Sequence, residues 1–283
     1  GCLTPEREVS DQISHTLTIA CTIPPQAEFI DAITGGDARV IILVPPGASP
    51  HSYEPAPSRI SELESADLYL YMGSGIEFEE RWLERIRGMF PDLPRVNSSA
   101  SIRLMGSTES HTDEQDFRGS DGDSHSDPHV WLSLINAGII VNNTCHALCS
   151  LNPEYCAVYE KNRDHYLEQV QVADQEIRSS LSNRTSRNIL VYHPAFGYFC
   201  RDYHLTQVSV EEDGKEPSAR QIARLVDMAR QANISLIIAE PESSLQGADT
   251  ISREINASII LISPLSRDYL QNMRLLARSI SGE

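Results

Sequence analysis

The chain has 283 residues, with 40 Asp+Glu against 23 Lys+Arg, a formal net charge of −17 and a pI near 4.9. That acidity excludes a sequence-independent nucleic-acid binder, which needs a basic stripe, and disfavours attraction to anionic lipid. At 40% apolar residues the chain can bury a real core, yet its longest apolar runs, such as 137–141, fall far short of a bilayer span.

Residues 1–15 read as a polar tether. Gly1-Cys2 followed by Leu3-Thr4-Pro5-Glu6-Arg7-Glu8 looks like a bacterial lipoprotein after removal of its signal sequence, with Cys2 as the lipidated residue. In that reading the protein sits in the periplasm or on the outer face of the cytoplasmic membrane; the alternative is an ordinary cysteine. The six cysteines contain no Cys-x-x-Cys pair, so a zinc ribbon or thioredoxin-like site is not indicated. Cys145 and Cys149, four apart on one helix face, are expected to pack rather than bridge, and the disulfide connectivity stays open.

Beyond the tether, strand-like and helix-like runs alternate. Strands are expected over 16–22, 39–44 and 68–72, and helices from about Pro25, over 58–66 and over 80–89. The stretch 106–127 breaks the pattern. Rich in Ser, Asp, Glu, Gly and His, it reads as a mobile loop. The chain turns helical from Trp131, and Asn152-Pro153 reads as an N-cap followed by proline at the first helical position. Glu154 to about Leu181 then runs without Gly or Pro, longer than most globular helices. Alternation resumes with strands over 188–192, 206–210, 235–239 and 258–262, and helices over 218–231, 248–255 and up to 280. The reading is an α/β fold: two βα lobes with mainly parallel sheets, 16–152 and 183–283, joined by one long rigid helix over 153–182.

Three of the nine histidines stand apart. His51 lies in a Pro/Gly-stiffened loop, Pro45-Pro46-Gly47-Ala48-Ser49-Pro50-His51, just past a strand's carboxyl end, where ligands bind in open α/β sheets. His129 sits in Asp127-Pro128-His129-Val130-Trp131, between the acidic loop and a helix. His193 ends a strand and opens His193-Pro194-Ala195-Phe196-Gly197-Tyr198 in the other lobe. Neutral imidazoles meeting in a cleft make a borderline-soft metal site whose natural occupant is zinc. His15, His146, His165 and His204 have no such context.

Pro46-Gly47-x-x-Pro50-His51-x-Tyr53-x-Pro55, Ala66-Asp67, Asp127-Pro128-His129-x-Trp131 and His193-Pro194-Ala195-Phe196-Gly197-Tyr198 resemble the solute-binding lipoproteins of zinc/manganese ABC importers. The resemblance runs from about Thr16 to the C-terminus. It implies a metal site in the inter-lobe cleft with His51, His129 and His193 as ligands, and a bridging helix at Glu154–Leu181. It also implies Zn²⁺ capture, with Mn²⁺ or iron as the alternative, and delivery to the importer's transmembrane permease. A monomer and no enzymatic activity are expected, with modest lobe tilting on release rather than a wide clamshell motion.

One departure bears on the metal. Many members place a fourth ligand, an aspartate, in an Asp-Pro-Leu turn after the last strand, and here the turn reads Ser263-Pro264-Leu265. Some zinc-type members use a glutamate directly before the first histidine, which here is Pro50. Glu240, ending a strand on the cleft side, is a candidate partner of a ligating imidazole or a fourth ligand. A missing carboxylate favours zinc over manganese. The resemblance further suggests that the acidic loop gathers metal weakly through His111 and His125; a solvated insertion without a role is the alternative. Seven carboxylates against one arginine between Glu109 and Asp127 place about a third of the net charge there. Two other functions compete. Three histidines with an open position would also suit a zinc hydrolase, although no His-Glu-x-x-His is present; a surface adhesin is the remaining possibility.

Overall fold

The computed structural model describes residues 16–106, 126–184, 186–211, 218–241 and 245–282. In the first lobe, β1 (Thr18–Cys21), β2 (Arg39–Ile42), β3 (Leu68–Tyr71) and β4 (Arg95–Asn97) form an all-parallel sheet in the order β2-β1-β3-β4. Its central strands are short apolar runs buried on both faces, as sheets flanked by crossover helices require. The crossovers include α1 (Pro24–Thr34), α2 (Pro57–Ser61) and α3 (Glu77–Met89). Two prolines pre-set the first turn of α1, and Gly35, at φ 72°, ends it by donating to the carbonyl of Asp31.

A 3₁₀ turn at Val130–Leu132 leads into α4 (Leu134–Leu151), which Ser133 caps through the backbone N–H of Asn136. Among the described helices, α4 is long and apolar enough to cross a bilayer, but half of it is buried within the protein. Asn136, Asn142, Asn143 and His146 interrupt its apolar face in sequence, so no long apolar run shows. The long helix α5 (Cys156–Ser182) follows. It begins three residues later than the sequence suggests, because Pro153–Tyr155 forms a separate 3₁₀ turn. A disulfide between Cys149 and Cys156 ties the end of α4 to the start of α5, while Cys21, Cys145 and Cys200 are buried free thiols.

The second lobe repeats the plan. Strands β5 (Asn188–Val191), β6 (Thr206–Ser209), β7 (Leu236–Ala239) and β8 (Ser258–Leu261) form a parallel sheet in the order β6-β5-β7-β8. Around it lie α6 (Gly197–Asp202), α7 (Ala219–Gln231), α8 (Gln246–Ile255) and α9 (Tyr269–Ser281). Neither β4 nor α6 is among the sequence-based elements. The first is three residues behind Pro94, and the second is under two turns long and opens on a glycine.

The lobes share one hydrophobic core. Phe29 and Ile30 of α1, Tyr166, Ala173 and Ile177 of α5, and Leu270, Met273 and Leu276 of α9 belong to a single buried cluster. A second cluster, with Val226, Ala229, Ile237 and Ile251, covers the outer face of the second sheet. Phe29 lies edge-on to Tyr269 at 5.0 Å and to Tyr166 at 6.0 Å. Beside it, Glu28 accepts the Tyr166 hydroxyl at 2.5 Å and the backbone N–H groups of Tyr269 and Leu270 in the first turn of α9, where helical N–H groups lack an intrahelical partner. One carboxylate thereby joins the first lobe, the bridging helix and the last helix. Replacing it removes three hydrogen bonds from a half-buried junction and leaves the Tyr166 hydroxyl and the Leu270 N–H without this acceptor, so Glu28→Ala is expected to lower the unfolding free energy by about 2–3 kcal/mol in urea titration; unchanged stability would contradict this junction.

Candidate metal centre

Each cleft histidine reaches the same place from a different element. The His51 loop leaves β2 through a turn at Gly47, whose φ of 82° suits glycine. Arg81 of α3 pins that loop by donating to the carbonyls of His51 at 3.1 Å and Tyr53 at 3.2 Å. The His51 Nδ1 then lies 2.8 Å from Oε1 of Glu77, the first residue of α3. His129 follows Asp127, whose Oδ1 accepts its backbone N–H at 2.9 Å and meets its Nδ1 at 2.8 Å. The Asp127-Pro128 carbonyls accept the hydroxyls of Tyr198 at 3.0 Å and Ser74 at 2.6 Å, one from each lobe. Gly197 makes room for this: a Cβ there would stand 2.6 Å from Asp127 Oδ2. His193 lies two residues past β5, with its Nδ1 3.0 Å from Glu211 Oε2.

With Nδ1 committed to a carboxylate, each ring turns Nε2 away from it. The His51 and His193 Nε2 atoms lie 3.2 Å apart, and one ligand nitrogen from each of the three rings falls within 4.8 Å of the others. Two nitrogens on a tetrahedral ion at Zn–N 2.0–2.1 Å are about 3.3 Å apart, so the His51–His193 pair already has the required spacing. The rings enclose a cavity of about 20 Å³, walled also by Ser49, Pro50, Trp131, Glu240, Pro264 and Leu265. That is room for one water or one ion. Among the described residues this is the one group of three or more His, Cys, Asp or Glu side chains gathered for a metal.

The environments divide the rings electrostatically. Burial, which disfavours the charged ring, takes His129 below the usual imidazole value despite Asp127. Burial also pushes His193 down, but the Glu211 hydrogen bond and the charges of Glu240, Glu211 and Glu77 outweigh it and leave the ring raised. For Glu77, burial acts to raise the carboxyl, and the hydrogen bond and charge of His51 reverse that.

Comparison with known proteins fits this geometry. The model of the zinc-uptake complex component A periplasmic family matches residues 19–282. The chain belongs to that family. It is 32% identical over 263 residues to the high-affinity zinc uptake system protein ZnuA of Bacillus subtilis, covering 90% of this chain and 81% of the relative. It is 28% identical over 259 residues to the zinc-binding lipoprotein AdcA of Streptococcus pneumoniae, covering 90% of this chain and 51% of AdcA, so it spans about half of that relative's length. A crystal structure of ZnuA superposes with a TM-score of 0.86 at 30% identity, covering 94% of this chain and 98% of the other. The resemblance read from the histidine motifs and the two-lobed α/β fold both stand.

Within this zinc-uptake family member the structure brings His51, His129, His193 and Glu240 to one cavity. Ser263 is turned elsewhere: its hydroxyl accepts the Leu265 N–H at 3.1 Å. His146, His165 and His204 stay apart, and His165 faces solvent beside Gln169. Cys2, His111 and His125 lie outside the described residues. The sequence reading missed Glu77 and Glu211, whose partners are 26 and 18 residues away. Glu211 carried one usable signal, since it follows its strand by two residues just as His193 does. Removing its charge leaves burial to dominate, so the His193 ring of Glu211→Gln is expected to titrate at lower pH than in the parent. Histidine ¹⁵N NMR of metal-free protein measures this, and an unchanged or higher midpoint contradicts the assigned role.

Proposed function

We propose that the protein is an extracytoplasmic receptor that captures Zn²⁺ between its lobes through the Nε2 atoms of His51, His129 and His193 and delivers it to the permease of an ABC importer. The observation that carries this reading is the 3.2 Å approach of His51 and His193 from opposite lobes, beside His129, with every Nδ1 held by a carboxylate. Carboxylate–imidazole pairs of this kind fix the tautomer and sharpen the ligand's basicity. A nitrogen-rich donor set suits zinc better than manganese, which prefers oxygen. Zinc also appears in the names of the family and of both relatives.

The reading is of a binding protein rather than an enzyme. A zinc hydrolase also leaves a coordination position open, but its ligands sit on a rigid frame with a base beside the metal-bound water. Here the ligands come from two lobes, and Glu77 and Glu211 are engaged on the ring nitrogens of His51 and His193.

Chelator-competition titration of the purified protein tests the reading. One Zn²⁺ is expected to bind per chain, more tightly than Mn²⁺, with each of His51→Ala, His129→Ala and His193→Ala losing at least about a hundredfold in affinity. Protons compete for the same nitrogens, so zinc affinity is expected to fall as pH drops through the imidazole range, beginning above ~6.5 because His193 is raised. Preference for manganese would overturn the choice of metal, and alanine variants that bind as tightly as the parent would overturn the site.

A further inference from the structure

His129 comes before the bridging helix in the chain, yet the segment that carries it is fastened at three residues to what comes after. Tyr198 of α6 is fully buried, and its hydroxyl serves both members of a backbone pair. It accepts the Met105 N–H at 2.8 Å and donates to the Asp127 carbonyl at 3.0 Å, while the Asp127 N–H donates to the Met105 carbonyl at 3.0 Å. Further along, Trp131 Nε1 donates to the Pro264 carbonyl at 2.8 Å, and the Trp131 carbonyl accepts the Tyr269 hydroxyl at 2.7 Å. The Ser133 hydroxyl donates to Asp202 Oδ2 at 2.5 Å. Asp127, Trp131 and Ser133 thus bond to residues of the second lobe. From the side of the first sheet, the Ser74 hydroxyl reaches the same segment at the Pro128 carbonyl.

We propose that Tyr198 is a positioning residue for His129, and that the segment 127–133 moves with the second lobe when the lobes tilt. This rests on the role of His129 as a metal ligand in the proposed function. The route from the hydroxyl to the ring is short. Tyr198 fixes the carbonyl of Asp127, whose carboxylate takes the backbone N–H and the Nδ1 of His129 at 2.9 and 2.8 Å. The orientation of the ring therefore follows from where the Asp127 backbone is held. Because the hydroxyl is buried, its removal leaves the Met105 N–H and the Asp127 carbonyl without a ready substitute. A tilt that pulled 127–133 off the second lobe would break several hydrogen bonds at once and uncover Trp131, which is 1% exposed. A tilt that keeps the segment on the second lobe gives up the Ser74 bond instead, a smaller loss.

Amide hydrogen exchange at Met105, in the zinc-loaded and the metal-free protein, reads the clasp directly. Expected is protection that survives removal of zinc. Loss of that protection in the metal-free protein would overturn the proposal, since the segment would then part from the second lobe on opening. Tyr198→Phe keeps the ring and deletes the hydroxyl, and thermal unfolding checks that the variant folds. It is expected to bind Zn²⁺ about 10–100-fold more weakly in chelator competition, through faster release, as for other partners that orient a ligand. In the metal-free variant the ¹⁵N resonances of His129 are expected to shift while those of His51 stay as in the parent. Parental affinity with parental His129 resonances contradicts the positioning role. Weaker binding with His129 unshifted contradicts it equally, because the hydroxyl would then act through packing alone. Failure of the metal site reads differently: His129→Ala binding Zn²⁺ as tightly as the parent overturns the ligand role, while exchange at Met105 still decides where the segment belongs.

Discussion

Everything at the cleft depends on the pairing of an imidazole Nδ1 with a carboxylate, made three times over. Glu77, Asp127 and Glu211 each stand 2.8–3.0 Å from the ring they hold. A histidine ring left to itself rotates freely between staggered positions, and three such rings would scatter their nitrogens over several ångströms. The pairing removes that freedom and selects the tautomer that leaves Nε2 as the free acceptor. The carboxylates come from well-anchored places: the first turn of α3, the segment that Ser74 and Tyr198 hold from both lobes, and the extended ladder of β6. Orientation of the rings is thus inherited from secondary structure.

Orientation would be of no use if the lobes wandered. The two parallel sheets have the same strand order and offer their carboxyl edges to each other, but the distance between those edges is set elsewhere. Packing of α1, α5 and α9 into one core, the Glu28 junction and the Asp31–Arg267 ion pair at 2.6 Å couple the second lobe to the first along the bridging helix. Trp131 adds a direct link, donating to the Pro264 carbonyl at 2.8 Å while its own carbonyl accepts the Tyr269 hydroxyl. Opening such a cleft by a wide hinge would expose that common core. Small tilts, which leave the core intact, are the motion this construction permits.

The fold was largely legible because most strands, such as β1, β3, β5 and β7, are short apolar runs bounded by turn residues and most helices have their own periodicity. What escaped were elements that local pattern does not define. Arg95–Asn97 becomes a strand only because Tyr69, Leu70 and Tyr71 are there to pair with it, and Gly197–Asp202 becomes a helix although it opens on glycine. The histidines were legible for a different reason: each stands at the end of an element, beside prolines or glycines that fix the chain. Their carboxylate partners were not, since Glu77 and Glu211 reach across 26 and 18 residues and only the folded register joins them. The Cys149–Cys156 bridge was hidden likewise, because it spans the turn between two helices rather than one face of either. Glu240 was visible as a residue on the cleft side; its place beside His193 emerged with the pairing of β5 and β7.

X-ray absorption at the zinc K-edge of the zinc-loaded protein tests the central claim most directly. The account predicts a shell of light N/O scatterers at about 2.0–2.1 Å, with the outer-ring signature of three imidazoles and no sulfur. A thiolate contribution, or fewer than two imidazoles around the ion, would contradict it.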